Sequence, residues 1–564
     1  MKKTTTLLFA IFIGIITSNA QIYQWAKGMG GTSSDAGRSI ALDSSGNVYT
    51  AGWFHGTVDF DPGAGTSILT SAGTRDIFIS KLDAAGNFLW AKSLGGTSED
   101  YGSSIAVDGS GNVYTTGFFS LTVDFDPGAG TSNLTSAGGQ DIFISKLDAA
   151  GNFLWAKSIG GTSHEFSYSI AVDGTGNVYT TGYFLETADF DPGAGTSNLV
   201  SAGSYDIFIS KLDAAGNFVW AKSMGGTAFD YGNSIAVDSS GNVYTTGYFS
   251  LTVDFDPGAG TSNLTNAGLE DIFISKLDAA GNYLWAKRIG GISRDYGESI
   301  AVDGFGNVYT TGNFQGTVDF DPGAGMVNLT STGNEDIFIS KMDAAGNFLW
   351  AKRIGDIARD YGKSIAVDGS GNVYTTGNFQ GTVDFDPGTG TSNLTSTGLD
   401  DIFISKLDAA GKFLWAKSMG GTYEDFGSYI AVDGSGNVYT TGWFKGTIDF
   451  DPGAGISNLT SIGNSWDIFI SKLDSSASVG ILEKSFANTL TVYPNPTKGA
   501  LSIDLGTSYD EVTVIIRNQL GQDVLRKSFS VSNLLQVNIP GVAGMYFIEV
   551  SSGDKKAILK VVKK

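Results

Sequence analysis

The sequence predicts an all-β chain: a seven-bladed β-propeller of four-stranded antiparallel blades, closed by its N-terminal strand and followed by a small C-terminal β-sandwich. Three observations predict it. The tryptophan of WAK recurs at Trp25, Trp90, Trp155, Trp220, Trp285, Trp350 and Trp415, and every interval is 65 residues. Within each copy apolar residues alternate with period two, and no helical period is found. Glycine, at 79 of 564 residues, supplies a turn between nearly every pair of predicted strands.

Residues 1–20 read as a secretory signal. Lys2 and Lys3 give the positive region, residues 7–16 the apolar region, and Ser18-Asn19-Ala20 the small-residue site, with cleavage between Ala20 and Gln21. The apolar run is too short to span a bilayer, and no other stretch approaches a span.

Residues 21–474 hold the repeats. Each copy begins with SIAVD, turns through GSGN, and returns as VYTTGFF, which is β-branched and aromatic. After a long connection comes DIFISKLD, then the turn AAGN, then FLWAK. Two tight hairpins per copy argue for a four-stranded antiparallel sheet. A period of 65 suits a blade with one enlarged loop. WAK-type strands number seven, but the first precedes the first full copy and none follows Asp474. Residues 22–27 should therefore supply the outermost strand of the last blade. The outer strand is apolar on both sides, as in Phe88-Leu89-Trp90-Ala91, which fits blades packed face to face. The lysine that follows, as at Lys92, guards the edge against pairing with other chains.

The enlarged connection carries DFDPG in every copy: Asp59 and Asp61, Asp124 and Asp126, Asp189 and Asp191, Asp254 and Asp256, Asp319 and Asp321, Asp384 and Asp386, Asp449 and Asp451. In an extended segment the two carboxylates point to one side and the phenylalanine to the other. One reading is a Ca²⁺ site, with a third oxygen from the acidic residue between blades, as Asp35 or Asp100. The other is a capped turn over a buried phenylalanine, and this is favoured because the motif writes only two ligands. No cofactor is otherwise called for. The connection is too long to be structureless, and GTVDF and TSILTS around DPGAG predict an extra hairpin.

Antiparallel order puts the two tight turns at one end of the disc and the DYG and DFDPG segments at the other. At that second end the position after TG reads Trp53, Phe118, Tyr183, Tyr248, Asn313, Asn378 and Trp443. Unequal residues at equivalent positions are what a non-symmetric ligand needs; neutral drift leaves the same pattern.

After a linker at 475–490, residues 491–564 show short alternating strands joined by turns. Two resemblances follow from these words. GNVYTTG, DIFISKLDAAGNFLWAKS and GGTSEDYGSSIAVD resemble the SBBP-type β-propeller repeats of bacterial surface and secreted proteins, over residues 21–474. That implies the fold and no particular activity. The tail resembles the C-terminal sorting domain of the type IX secretion system of Bacteroidota. The likeness lies in Tyr493, Pro494, Asn495 and Pro496 with Gly499, in Leu520-Gly521, in Gly544-Met545-Tyr546, and in the basic end at 560–564. It implies transit through the periplasm, export by that machinery to the cell surface or medium, and removal of the tail in many cases.

Composition bounds the function. Cysteine is absent, so disulfides and thiolate metal sites are excluded. The formal net charge is −22, and because the C-terminal block is basic the repeats are more acidic still. Such a body repels phosphate backbones, which excludes nucleic acid. Two histidines, His55 and His164, do not recur, so a triad or histidine metal centre has little support. The sequence therefore reads as a monomeric, secreted or cell-surface binding protein without catalytic activity, taking a glycan or protein ligand. The alternative is a secreted polysaccharide-active hydrolase or lyase using loop carboxylates.

Overall fold

A computed structural model of the chain describes residues 22–474, 491–518, 522–553 and 555–564. The signal segment with Ala20, Gln21, the linker at 475–490, and Leu520-Gly521 lie outside the described residues. The chain divides into two compact units, Met1–Ser476 and Ala477–Lys564. Among the described residues no helix is long and apolar enough to cross a membrane.

In the first unit each copy folds as four antiparallel strands in chain order. In the second copy these are Tyr101–Val107, Val113–Asp124, Asn133–Leu147 and Phe153–Gly161. The tight turns form because an aspartate side chain substitutes for backbone. Asp43 Oδ1 accepts from the N–H groups of Ser45 and Asn47 at 2.9 and 3.0 Å, while Gly46 takes φ of 77°. The pattern of four strands is met seven times among the described residues. In the last copy the fourth position is filled from the other end of the chain. Ile22–Gly31 pairs antiparallel with Trp466–Asp474, with Trp25 opposite Lys472 and Gly28 opposite Phe469.

First strands neighbour one another from copy to copy, and Phe426–Val432 of the last lies beside Ala36–Leu42 of the first. Serine links them: Ile105 N–H donates to Ser39 Oγ at 3.2 Å, and the same bond recurs from Ile170 to Ser104 and from Ile430 to Ser364. Further staples sit at the tight-turn end. Lys81 Nζ and Trp90 Nε1 both donate to Ala149 O of the next copy, at 3.0 and 3.3 Å.

The apolar core lies between successive sheets. Tyr49, Ile77 and Ile79 of one copy pack with Phe119, Phe125 and Phe143 of the next. The phenylalanine of DFDPG belongs to this core. Phe60 is fully buried and meets Phe54 edge-on at 5.4 Å and Phe78 at 5.0 Å. Truncating such a ring costs about 3–5 kcal/mol.

The enlarged connection forms the predicted extra hairpin. Thr57–Asp59 pairs with Ile68–Thr70, and Gly30 and Gly31 of the preceding fourth strand pair with Asp59 and Val58. Six of the seven hairpins tie their own copy to the one before in this way, the hairpin at Thr382–Asp384 excepted. The outer strand departs from expectation. Its tryptophan side is partly covered, but Leu89, Leu154, Leu284 and Leu349 are each 47% exposed. At the rim the neighbouring sheet ends, so only one face of the fourth strand finds a partner.

The second unit is one connected sheet of five strands. Ala500–Arg517 pairs along its length with Asp523–Asn538 and on its other side with Thr491–Tyr493 and Gly544–Ser552, which in turn pairs with Lys555–Lys563. The register breaks between Asp504 and Tyr509, and residues on both sides of the break, Ile503 and Leu505 with Val512 and Val514, enter one core.

Removing residues 22–27 is expected to lower the stability of the first unit by at least about 3 kcal/mol, because it deletes a strand ladder and the packing of Trp25. Calorimetric melting of the deletion variant measures this, and an unchanged melting temperature would show that the two chain ends contribute nothing to each other.

Candidate functional site

The end of the sheets opposite the tight turns carries a cavity of about 660 Å³. Its wall is built by the first strands, which present a position two residues before SIAVD-type isoleucine. That position reads Arg38, Ser103, Tyr168, Asn233, Glu298, Lys363 and Ser428, and all seven line the cavity. Two residues earlier stand Ala36, Tyr101, Phe166, Tyr231, Tyr296, Tyr361 and Phe426. Copies that are nearly identical in their cores therefore differ where the first strands face the cavity.

Each residue of that earlier position sits opposite one of the sequence-predicted ligand-face residues across the first hairpin. Tyr101 pairs with Phe118, Tyr231 with Tyr248, Tyr361 with Asn378, and Phe426 with Trp443. The result is an aromatic belt. Trp53, Tyr101, Phe118, Phe166, Tyr183, Tyr231, Tyr248 and Tyr296 follow one another with ring centroids between 4.5 and 5.9 Å apart. The belt breaks at Asn313 and Asn378, both 1% exposed. Asn378 Nδ2 donates to Asp400 Oδ1 at 3.0 Å.

Of the seven predicted positions, Tyr248, Asn378 and Trp443 line the cavity. Trp53 lines a smaller neighbouring pocket, while Phe118, Tyr183 and Asn313 line neither. Sequence reasoning missed the first-strand position altogether. Its signal was present, since it varies at the same 65-residue phase.

Polar groups are spread unevenly round the wall. Lys363 Nζ and Glu298 Oε1 form an ion pair at 2.7 Å. Across from them Arg38 stacks over Tyr101 and Trp443 at 5.4 and 5.2 Å and makes no ion pair among the described residues. Tyr168 and Tyr183 share a hydrogen bond, and burial holds the Tyr168 hydroxyl above its ordinary range.

The DFDPG carboxylates bond to their own backbone. Asp59 Oδ1 accepts from Asp61 N–H at 3.0 Å and Ser67 N–H at 2.8 Å, and Asp61 Oδ1 accepts from Gly63 N–H at 2.8 Å. The same bonds close the loops of Asp124 and Asp126, and of Asp449 and Asp451. Gly65 is required, because a Cβ there would stand 2.1 Å from Asp61 Oδ2. Asp189, Asp191, Asp254, Asp256, Asp319, Asp321, Asp384 and Asp386 repeat the arrangement.

The acidic residue between copies does a different job from supplying a third calcium oxygen. Asp35 is fully buried; its Oδ2 accepts from Gly31 N–H at 2.8 Å and its Oδ1 from His55 N–H at 2.9 Å. Burial pushes Asp35, Asp230, Asp295, Asp360 and Asp425 up to about 7 against the lowering effect of these N–H donors. Asp100 is pushed to about 6 and Glu165 to about 8 by the same cause. At the tight-turn end the balance reverses. Burial opposes ionisation of Asp173, but bonds from Thr175 and Asn177 outweigh it and hold the group at about 2.

In the second unit the motif residues assemble at the chain end. Asn495 Oδ1 accepts from Val562 N–H at 3.0 Å, close to Tyr493, Pro494 and Pro496 in sequence. Lys563 Nζ donates to Ile539 O and Gly541 O at 2.8 and 2.7 Å. Gly499 takes φ of 129°, Gly544 opens a strand, and the buried Tyr546 donates its hydroxyl to Val542 O at 2.8 Å.

Comparison with known proteins agrees with this division. Residues 24–53, 89–117, 224–248, 284–313 and 349–378 match the SBBP β-propeller repeat, and residues 491–564 match the secretion system C-terminal sorting domain. The chain carries both, and the second marks it for type IX export to the cell surface or medium. It is 28% identical to an uncharacterized WD repeat-containing protein, L264, of Acanthamoeba polyphaga mimivirus, over 65% of this chain and 32% of that protein. It is 28% identical to beta-agarase A of Zobellia galactanivorans over 50% of each. The chain thus spans 32% and 50% of the length of these two relatives. Among solved structures, PorZ, a surface component of the type IX secretion system of Porphyromonas gingivalis, aligns over 96% of this chain and 100% of its own at 14% identity, with a TM-score of 0.17. A rhamnogalacturonan lyase of Bacillus licheniformis aligns over 70% and 76% at 12% identity, with a TM-score of 0.21. Likeness at that level informs neither fold nor function.

Two expectations follow. The junction carboxylates titrate higher in the folded chain than the roughly 4 of an unfolded one, so their stabilisation is full below about pH 4 and lost as pH rises through about 7. Asp173 and its counterparts act oppositely, and their stabilisation is lost as pH falls below about 4. Melting temperature at fixed ionic strength should therefore peak near about pH 4 and decline towards about pH 7; a steady rise to about pH 8 would contradict the assignment. For DFDPG, calcium and matched sodium chloride should shift the melting temperature alike, and Asp61→Asn should be mild, since asparagine still caps the turn. A calcium-specific shift lost in a multi-copy Asp→Asn variant would instead make these loops metal sites.

Proposed function

We propose that this type IX-exported chain is a binding protein of the cell surface or medium, and that its ligand occupies the cavity at the loop end. On this reading the seven sheets form a seven-bladed propeller with the cavity on its axis. The strand of residues 22–31 closes the ring, and the C-terminal unit, a small β-sandwich, serves export.

One observation carries the reading. The repeats agree in core, turns and staples, yet the seven equivalent positions of the cavity wall, from Arg38 to Ser428, hold six different residue types. A wall with an arginine on one side and a lysine–glutamate pair on the other suits an asymmetric ligand. The carboxylates of highest pKa are walled off at the junctions and bonded to backbone, which leaves Glu298 as the acid of the cavity wall.

The test is binding of the purified full chain to an array of glycans and surface proteins, beside an assay for product release from polysaccharides. Expected is retention of a ligand that Lys363→Ala weakens by about tenfold, roughly 1.4 kcal/mol, without product release. Release of sugar at a rate abolished by Glu298→Gln would make the protein a hydrolase or lyase instead.

A further inference from the structure

The repeat is broken twice at the same place. Position 36 is alanine where the other six copies hold tyrosine or phenylalanine. The last copy also carries one extra residue near Ser465, followed by Trp466, where the other copies have no tryptophan. These departures meet at the junction of the first and last copies, where a second pocket of about 220 Å³ opens beside the central cavity. Its wall includes Ala36, Arg38, Trp53, Glu424, Trp443 and Trp466. The missing ring of position 36 leaves the space, and three indoles line it.

The polar groups of this slot have spare capacity. Trp53 is 8% exposed, and its buried indole N–H has no acceptor. Such a donor, cut off from water, costs free energy unless a bound group satisfies it. Arg38 makes no ion pair among the described residues, and neither does Glu424. Asp35, also at the slot, is not available, since both its oxygens accept backbone N–H groups.

We propose that this tryptophan slot binds one pyranose ring of an uncharged glycan. One face of Trp53 is covered by Arg75 at 4.2 Å and one face of Trp443 by Arg38 at 5.2 Å. The apolar C–H face of a sugar ring is therefore offered chiefly the 36% exposed Trp466, while a few placed donors and acceptors fix its orientation. Arg38 donates to hydroxyl oxygens, Glu424 accepts from hydroxyl hydrogens, and Trp53 donates in the plane of its ring. Charge selects against the neighbouring ligand classes. An aromatic cage alone would suit a quaternary ammonium, but Arg38 puts a positive charge in the slot. A polyanionic glycan meets Glu424 and a chain of net charge −22. The assignment rests on the loop end being the binding face, and it adds which class of ligand is taken and where.

The experiment is calorimetric titration and tryptophan fluorescence of the full chain. The probes are neutral gluco-, xylo-, manno- and galacto-oligosaccharides, uronate and sulfated oligosaccharides, and tetramethylammonium. The decisive variant is Ala36→Phe, which restores the ring the other copies carry and so fills the slot without disturbing the fold. Expected is binding of at least one neutral series, weakened tenfold or more by Ala36→Phe and several-fold by Trp53→Phe. The melting temperature of Ala36→Phe should not fall. Binding of only the charged probes, or of none, overturns the proposal. Neutral binding that survives Ala36→Phe but is lost in Lys363→Ala also overturns it, while leaving the central cavity as the binding site.

Discussion

A carboxylate buried at each junction between copies holds the loop end of this protein together. Asp35 reaches back to the N–H of Gly31 on the preceding fourth strand and forward to the N–H of His55, where its own hairpin begins. Asp100, Asp230 and Asp425 repeat the bridge with Gly96 and Ser120, Gly226 and Ser250, Gly421 and Lys445. Burying a carboxyl costs free energy unless its oxygens are hydrogen-bonded, and here two backbone donors that would otherwise be orphaned supply the bonds. A second buried carboxylate stands close by, as Asp467 beside Asp35, and only two copies place an arginine on it, Arg288 on Asp271 and Arg353 on Asp336. The junction is therefore a polar device inside an otherwise apolar interface.

Because that device fixes where each second strand leaves the sheet, the residues just before it are held in register around the cavity. Tyr248, Asn378 and Trp443, which line the cavity, each stand two residues before the N–H that the bridge pins, at Ser250, Gln380 and Lys445. The same geometry lets the wall vary. Arg38, Tyr168 or Lys363 can change without touching the inter-sheet core, whose phenylalanines lie behind them. The inter-sheet core and the variable wall are thus built by different residues of the same short strand.

Antiparallel closure adds the asymmetry. The last copy borrows its fourth strand from residues 22–31, so the junction between first and last copies is made by segments distant in sequence. Ala36 and Trp466 depart from the repeat at that junction and nowhere else is the aromatic belt opened by an alanine.

Much of the fold is legible in the sequence, because a 65-residue period repeats the same alternation and the same turn residues seven times, and each copy can be checked against the others. Local chemistry also declares itself: DFDPG closes its own loop, and the YPNP motif and basic end belong to one small unit. What the sequence could not yield was the arrangement of groups far apart in the chain. The position before SIAVD carried its signal at the right phase, but only the packing of first strands side by side turns Arg38, Glu298 and Lys363 into one wall. The half-exposed Leu89 shows the limit from the other side, since alternation records which residues are apolar and not whether a neighbouring sheet extends far enough to cover them. Sequence by itself determined the repeat, its strands and its export tail, for those depend on short-range patterns. Tertiary structure alone decided the cavity and the tryptophan slot, because each is made by residues from different copies brought within a few ångströms; the carboxylate bridges join groups only four and twenty residues apart, but their burial depends on the sheets packed around them.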